Sequence, residues 1–305
     1  MQRLLIVGCG DVAWRALPQL LRRYRVFALL RDVDQCVRWR QAGAVPLIGD
    51  LDRPETLGRL AGLAQHILHL APPPDRGLRD SRTRHLVAAL GRASGKNSRK
   101  SLPRLPSALT YISTTGVYGD QGGALIDETA RRRPLSPRGQ RRADAEQYLR
   151  DWARRSGVRV SILRAPGIYA SDRLPLARLQ AGTPALVAED DVQTNHIHAD
   201  DLAGLCAASL LRGRSNRCYN ASDDSCLKMG EYFDQVADAF ALPRPPRLSR
   251  EEAGRVLSPV QLSFMSESRR LLNRRIKTEL RYRLRYPRVD DGIAAALQEQ
   301  LHADA

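Results

Sequence analysis

The residues of this chain best suited to chemistry begin with a glycine-rich segment, Gly8-Cys9-Gly10-Asp11-Val12-Ala13. Its G-x-G-x-x-A spacing allows a tight turn, brings backbone amides close to a phosphate group, and lets a helix pack closely on a strand. Between a strand and a helix, such a turn binds a dinucleotide pyrophosphate at the helix N-terminus; the alternative is a purely structural glycine turn. The candidate cofactor-binding residues of this turn are Gly8, Cys9, Gly10, Asp11 and Val12.

Two charged residues, Arg31 and Asp32, follow the second apolar run of the sequence. In dinucleotide-binding proteins an acidic residue about 20 positions after the glycines binds the ribose diol of NAD, whereas an arginine nearby accommodates the 2′-phosphate of NADP. Arg31 stands 21 positions after Gly10, and Asp32 stands 22 after it. The arrangement favours NADP over NAD through Arg31, with a solvated Arg-Asp pair as the alternative.

Two later segments have residues suited to the walls of the same site. Asp50 and Leu51 follow the third apolar run, where the carboxylate would accept a hydrogen bond from the adenine amine and the leucine would pack on the ring. Leu70, Ala71 and Pro72 close the fourth run, and their small or rigid side chains suit a wall against the cofactor. A simple turn explains either segment equally well.

The elements needed to position these residues can be read from the hydrophobic pattern. Short apolar runs alternate with amphipathic stretches, which predicts a doubly wound parallel α/β sheet of Rossmann type, covered on both faces. The predicted strands are 4–7, 26–30, 44–48, 67–70, 109–113 and 158–163, and the predicted helices are 12–23, 34–42, 54–60, 79–90, 139–155, 200–211, 229–240 and 290–301. Residues 91–107, rich in Gly, Ser, Pro and basic residues, read as a surface loop.

Four further segments carry a family resemblance. Residues 111–120 (Y-I-S-T-T-G-V-Y-G-D) closely resemble the S-S-x-x-V-Y-G-D stretch of the extended short-chain dehydrogenases/reductases, the NAD-dependent epimerase/dehydratase family. Residues 126–129 (I-D-E-T), 162–169 (I-L-R-A-P-G-I-Y) and 195–202 (N-H-I-H-A-D-D-L) are similar to later motifs of that family. With the glycine turn, these segments run in family order across about residues 1–225. The resemblance implies a cofactor-binding domain over 1–165 and a smaller C-terminal α/β substrate lobe over 166–305, some segments of which return to the sheet. We add Pro166 to the candidate cofactor-binding residues.

The sequence departs from the family where the chemistry is expected. Aligning the family motif Y-G-x-S-K-x-x-x-E onto residues 138–146 puts Arg138 on the tyrosine and Arg142 on the lysine. The family's tyrosine exchanges a proton with the substrate while its lysine holds the nicotinamide ribose; arginine stays charged and is a poor general acid or base. Arg142 would hold a ribose or phosphate, and Arg138 would polarise a carbonyl. Thr114 stands at the family's Ser/Thr position, where its hydroxyl would donate a hydrogen bond to a substrate oxygen. The alternative is that this hydroxyl only bonds within its own turn at the strand end. The candidate catalytic residues are Thr114, Arg138 and Arg142.

Composition narrows the classes of function. The formal charge is +16, but 45 of the 49 basic residues are scattered arginines and aromatic residues make up only 5%, so we expect no nucleic-acid partner. Five cysteines without a C-x-x-C pair indicate reduced thiols in the cytoplasm, and His196 and His198 lack a third ligand, so no metal site is expected. No apolar run reaches the ~18 residues of a membrane span.

Together these features predict an NAD(P)-binding, epimerase/dehydratase-like oxidoreductase that acts on a hydroxylated small molecule, with a nucleotide-linked substrate and a homodimer left open. The alternative is a non-catalytic NADP-binding protein that senses cofactor state or scaffolds a partner. The departures at Arg138 and Arg142 favour the alternative, whereas the intact glycine turn and C-terminal lobe favour the oxidoreductase.

Overall fold

A computed structural model of the chain describes residues 1–92 and 104–303, the side chain of Ala303 excepted. The loop predicted for residues 91–107 falls mostly on 93–103, outside the described ranges. Within those ranges, none of the helices combines the length and apolar character needed to cross a bilayer.

The first half of the chain alternates strands and helices, as the hydrophobic pattern predicts. Its elements are β1 (Gln2–Val7), α1 (Asp11–Leu21), β2 (Tyr24–Leu30), α2 (Gln35–Gln41), β3 (Val45–Ile48), a 3-10 helix (Pro54–Leu60), β4 (His66–His69), α3 (Ser81–Leu90), β5 (Ala108–Thr114), a 3-10 helix (Thr115–Tyr118), β6 (Leu125–Ile126), α4 (Pro137–Ser156) and β7 (Arg159–Ala165). Capping fixes two of the helix starts, because Asp80 accepts a hydrogen bond from the Thr83 amide and Ser136 accepts one from the Gly139 amide.

The second half has shorter and more mixed elements. They are β8 (Gly167–Tyr169), a 3-10 helix (Ser171–Arg173), α5 (Leu176–Gln180), β9 (Ala185–Leu186), β10 (Gln193–Thr194), β11 (His196–His198), α6 (Ala199–Arg212), β12 (Arg217–Asn220), β13 (Leu227–Lys228), α7 (Met229–Ala239), β14 (Arg247–Leu248), α8 (Arg250–Val256), α9 (Pro259–Phe264), β15 (Arg270–Leu271), α10 (Arg274–Thr278) and α11 (Val289–Ala303).

Seven strands form one parallel sheet in the order β12-β7-β5-β4-β1-β2-β3. This confirms the predicted doubly wound α/β fold and adds β12 as a seventh strand, which the sequence analysis missed because it has no long apolar run. The sheet is buried on both faces. Side chains of α1 and α6 form one core with it, and side chains of α3 and α4 form the other.

The register of the sheet brings the candidate cofactor residues together. Val7, the last residue of β1, is level with Leu29 on one side and His69 on the other. The chain reverses direction across the sheet at β1, between β2 and β4, and ligands of open α/β sheets bind at such a switch point. The glycine turn, the end of β2 and the end of β4 therefore share one edge.

The region beyond residue 165 contributes to two parts of the molecule. Helix α6 and strand β12 belong to the layers of the central sheet. Residues of β8, α5, α7 and α11 form a separate apolar core that includes Tyr169, Leu179, Val236 and Ile293. We refer to the part of the chain that forms this second core, from β8 onward, as the C-terminal lobe.

Candidate active site

The glycine turn has one tightly packed glycine and one open glycine. Gly8 has a φ of +95°, and a Cβ added there would lie 2.2 Å from the Ala71 amide nitrogen, so no other residue fits this approach of β1 to the end of β4. Gly10 caps α1, and a Cβ added there would meet nothing within 4 Å. The space above Gly10, at the N-terminus of α1, is therefore open to a ligand phosphate.

A cleft of about 490 Å³ extends from this turn along the carboxyl edge of the sheet. Its lining includes eleven of the twelve residues assigned to the cofactor from sequence, namely Gly8, Cys9, Gly10, Asp11, Val12, Arg31, Asp50, Leu51, Leu70, Ala71 and Pro72. Pro166 does not line it; the neighbouring strand β8 contributes Ile168 instead. Pro166 is half-buried and directly precedes β8, and we add Ile168 to the candidate cofactor residues because it lines the cleft.

The lower wall of the cleft is fixed by hydrogen bonds to the backbone. The Cys9 thiol donates to the Leu29 carbonyl oxygen at 3.3 Å, and burial raises the pKa of this thiol to about 12. The His85 Nδ1 atom lies 2.7 Å from the Leu51 carbonyl oxygen. Cys9 is therefore a neutral packing group that joins the turn to β2, and Leu51 is held in place on the opposite side.

Charged side chains stand along the rim at the β2 end. Arg31 and Asp32 are both exposed there, at the tip of β2. Arg82, in the first turn of α3, binds Asp52 through two hydrogen bonds of 2.6 and 2.8 Å and lowers the pKa of that carboxyl. Arg82 also lines the cleft, a role that the sequence analysis missed. Its only sequence signal is a basic residue in the first turn of a helix that starts at the carboxyl edge of the sheet.

Arg142 occupies the floor of the cleft. It is 7% exposed, and its Nη1 atom donates to the Ile112 carbonyl oxygen at 2.7 Å and to the Tyr111 hydroxyl at 2.9 Å, with the Ala71 carbonyl oxygen at 3.5 Å. Burial raises the pKa of Tyr111 to about 12, so its phenol stays protonated. The structure therefore shows a buried guanidinium tied to β5 on the floor of the cleft.

Thr114, the last residue of β5, and Arg138, on α4, are not among the residues that line the cleft. The Thr114 hydroxyl accepts a hydrogen bond from the Gly116 amide at 3.2 Å, which leaves its proton free for another acceptor. Arg138 is exposed, one turn before Arg142 on α4. Desolvation, together with the positive charges of Arg142 and Arg141, lowers the pKa of the Arg138 guanidinium from its ordinary value.

The remaining family-like segments build a buried polar layer beneath the site. Arg164 and Glu146 form a bidentate pair of 2.7 and 3.0 Å, both almost fully buried. The Tyr118 hydroxyl donates to Asn220 Oδ1 at 2.7 Å, and burial raises the pKa of that hydroxyl. Glu128 accepts from the Asn220 amide at 3.0 Å. Tyr118 is thus committed to holding β12, rather than facing the cleft.

The histidine-rich segment also has a structural role. His198 Nδ1 accepts a hydrogen bond from the Asp200 amide and so caps α6. Asp201 accepts from the Tyr282 hydroxyl and from the amides of Arg285 and Tyr286. These bonds fasten the C-terminal segment to α6. Among the described residues, no group of three His, Cys, Asp or Glu side chains is arranged to hold a metal ion.

The geometry of the cleft fits a dinucleotide. The open helix N-terminus at Gly10 suits a pyrophosphate, and the apolar wall of Leu51, Leu70 and Ile168 suits flat rings. Arginines stand at the rim and on the floor to pair with phosphates.

Comparisons with known proteins agree with this reading. A family model described as "NAD dependent epimerase/dehydratase family" matches residues 10–222. No curated protein matches the chain in sequence. Among solved structures, a conserved protein of unknown function from Silicibacter pomeroyi is 29% identical, with a TM-score of 0.79 over 98% of this chain and 99% of that one.

Two enzymes of known activity share the fold at lower identity. A UDP-glucose 4-epimerase from Thermotoga maritima, solved with UDP-glucose, is 16% identical with a TM-score of 0.76 over 100% of both chains. A double mutant of a dTDP-glucose 4,6-dehydratase from Streptomyces venezuelae, solved with NAD bound, is 20% identical with a TM-score of 0.74 over 97% of this chain and 96% of that one. Because the family model spans well over half of the sequence and the cleft has the geometry that the family's cofactor requires, the chain belongs to the NAD-dependent epimerase/dehydratase family.

Proposed function

We propose that the protein is an NADP-binding oxidoreductase of the epimerase/dehydratase kind, acting on a hydroxylated small molecule with Arg138 and Arg142 in place of the family's tyrosine and lysine. The observation that carries this proposal is the cleft itself, in which the open N-terminus of α1, the apolar wall and Arg31 at the tip of β2 lie along one sheet edge. A bound nicotinamide cofactor would supply hydride transfer, and the protein would supply binding and orientation.

Each residue has a defined part in this proposal. The amides of the turn from Gly8 to Val12 bind the cofactor phosphates, and Arg31 pairs with the 2′-phosphate of NADP. Arg142 lies on the cleft floor, where a guanidinium orients a ribose or phosphate oxygen. Thr114 has a hydroxyl proton to donate to a substrate oxygen. The sugar nucleotides handled by the structural neighbours are the natural first substrates to test.

The cofactor preference is tested by Arg31→Ala. A charge-assisted contact to the 2′-phosphate contributes roughly 1.5–3 kcal/mol, so the variant should bind NADP about tenfold or more weakly and leave NAD binding nearly unchanged. Titration calorimetry with both cofactors measures this difference. Equal weakening of the two cofactors would rule out a 2′-phosphate contact, and Arg40→Ala, another exposed arginine in this part of the fold, serves as the control.

A second candidate function, a non-catalytic NADP sensor or scaffold, is favoured by one observation. The Arg142 Nη1 atom is occupied by the Ile112 carbonyl and the Tyr111 hydroxyl, and Arg138 lies outside the cleft lining. Neither guanidinium is therefore placed as a proton relay.

The double variant Arg138→Tyr with Arg142→Lys separates the two candidates. The missing acid/base pair should cost the wild type at least the ~10²–10⁴-fold that a positioned proton donor contributes. We expect little oxidation or epimerisation of a UDP-sugar by the wild type and a measurable gain in the double variant. Rapid turnover by the wild type, unchanged in Arg138→Ala, would show that another group relays the proton.

A further inference from the structure

Arg173 reaches the cofactor cleft from the C-terminal lobe. It ends the short 3-10 helix after β8, it lines the cleft, and its side chain is 36% exposed. Its Nη2 atom lies 3.0 Å from Oδ2 of Asp11, the first residue of α1. The Arg173 guanidinium therefore connects the lobe to the glycine turn at Asp11. Asp11 follows Gly10, where the space above the backbone is open.

Arg15 and Arg173 share Asp11 but are held very differently. Arg15 donates three hydrogen bonds, to Asp11 at 2.8 Å, to Asp200 at 2.8 Å and to Asp172 at 3.1 Å, so its guanidinium is fully committed. Among the described residues, Asp11 is the one carboxylate within ion-pair distance of Arg173, and the contact is an ion pair without hydrogen-bond geometry. Arg173 is thus the arginine of this cluster that is able to change partner without breaking a hydrogen bond.

The local charge balance shows why such a change is favourable. Asp11, Asp172 and Asp200 carry three negative charges, which the guanidinium groups of Arg15, Arg173 and the exposed Arg285 balance. A pyrophosphate at the N-terminus of α1 would bring further negative charge beside the Asp11 carboxylate. Charge-assisted hydrogen bonds from arginine to phosphate are stronger than an exposed ion pair of poor geometry. Arg15 would keep Asp11 neutralised while Arg173 turned to the phosphate.

We propose that Arg173 is a diphosphate-binding residue, held near its site by Asp11 until a dinucleotide arrives and then transferred to the pyrophosphate. The proposal rests on the proposed function, because it takes the turn from Gly8 to Val12 as the pyrophosphate site. The group recognised is the diphosphate common to NAD and NADP, so Arg173 does not distinguish the two cofactors.

Because NAD and NADP contain the same diphosphate, a comparison of their affinities tests the role of Arg173. In titration calorimetry, Arg173→Ala should weaken NADP and NAD binding by the same factor, about tenfold, and should leave the binding of adenosine 2′-monophosphate, which has no diphosphate, unchanged. Arg31→Ala should give the opposite pattern, with losses for NADP and adenosine 2′-monophosphate only. Arg244→Ala is the matched control, since Arg244 pairs with Asp238 on the surface and does not line the cleft.

The ion pair with Asp11 gives a second readout. Asp11→Asn removes the resting partner, so we expect it to tighten the binding of both cofactors severalfold, and this gain should vanish in an Arg173→Ala background. Arg173→Gln repeats the measurement if the alanine variant does not fold.

The outcomes distinguish the two proposals. Unchanged affinity for NAD and NADP in both Arg173 variants, with Arg31→Ala still selective for NADP, would overturn the diphosphate role and leave the proposed function standing. A gain from Asp11→Asn that persists without Arg173 would overturn it as well, by showing simple repulsion. A wild-type protein that binds neither cofactor would overturn both proposals.

Discussion

Arg142 combines a place on the cleft floor with hydrogen bonds to the central sheet. A lysine ammonium is a compact point charge on a flexible stem, whereas the planar guanidinium of Arg142 holds Nη1 against both the Ile112 carbonyl and the Tyr111 hydroxyl. These two acceptors lie on β5, below the cleft. The Arg142 side chain therefore ties α4 to the sheet, and its removal should affect stability as well as ligand binding.

We expect Arg142→Lys to lower the stability of the protein, because an ammonium on a shorter, flexible stem does not reproduce the geometry in which the planar guanidinium reaches both buried acceptors on β5. The expected loss is about 1–3 kcal/mol in the free energy of unfolding, measured by urea denaturation. Arg138→Lys is the matched control on the same helix; since Arg138 is exposed, its stability should stay within about 0.5 kcal/mol of the wild type. Equal effects of the two substitutions would contradict the assigned role of Arg142.

Much of the site was predictable at this scale, because the glycine turn and the residues after each strand end lie at positions that the parallel sheet itself determines. Arg82 and Arg173 were not predictable in the same way. Arg173 reaches the cleft only because β8 and the following 3-10 helix cross the sheet edge, and no local pattern encodes that path. Pro166, which has a family-like position, is not among the residues that line the cleft, and its role as a cofactor contact stays a prediction.

At the scale of elements, the pairing of α4 with β7 depends on the buried Glu146–Arg164 pair. Burial alone would raise the pKa of Glu146, but the Arg164 guanidinium outweighs it and holds that pKa below its ordinary value. Removing one member of such a pair leaves an uncompensated charge in the core, which costs roughly 3–5 kcal/mol. The family-like motifs at 162–169 and 138–146 thus meet in an interaction that maintains the fold.

Glu146→Gln should lower the free energy of unfolding by roughly 3–5 kcal/mol at neutral pH, and this loss should depend on pH. Because the folded pKa is depressed, the stabilisation by Glu146 is complete above the ordinary value near 4.5 and is lost as the pH falls through the folded pKa. The difference between variant and wild type should therefore shrink in acid, as followed by thermal unfolding from pH 7 to pH 3. Glu251→Gln, whose side chain is 81% exposed beside Arg255, should be nearly neutral at every pH; a loss of comparable size there would contradict the argument.

Element positions were well predicted where an apolar run or a capping residue marked them. The six predicted strands of the sheet are all present, and the helix from Pro137 to Ser156 begins two residues before the prediction because Ser136 caps it. Strand β12 was missed since Arg217, Cys218, Tyr219 and Asn220 pair with β7 through tertiary contacts rather than through an apolar pattern.

At the scale of the whole molecule, the fold and the family are confirmed, and Arg142 lies on the floor of the cleft. The parallel sheet agrees with structural neighbours that cover nearly the full chain, and the family model matches residues 10–222. The lobe and the sheet meet at the cleft, where Arg173 contacts Asp11. Cofactor binding is therefore expected to link the two parts of the molecule, whichever chemistry follows.

The most direct test of the central claim, that this cleft binds a nicotinamide dinucleotide, is a titration of NADP into the wild type and into Gly10→Val. A side chain at Gly10 meets no protein atom within 4 Å, so the variant should fold normally, yet it would fill the space where the pyrophosphate meets the backbone. Gly8→Val, whose Cβ would lie 2.2 Å from the Ala71 amide, should instead fail to fold and serves as the structural control. We expect saturable one-site binding by the wild type and none by folded Gly10→Val; normal NADP binding by that variant would contradict the claim.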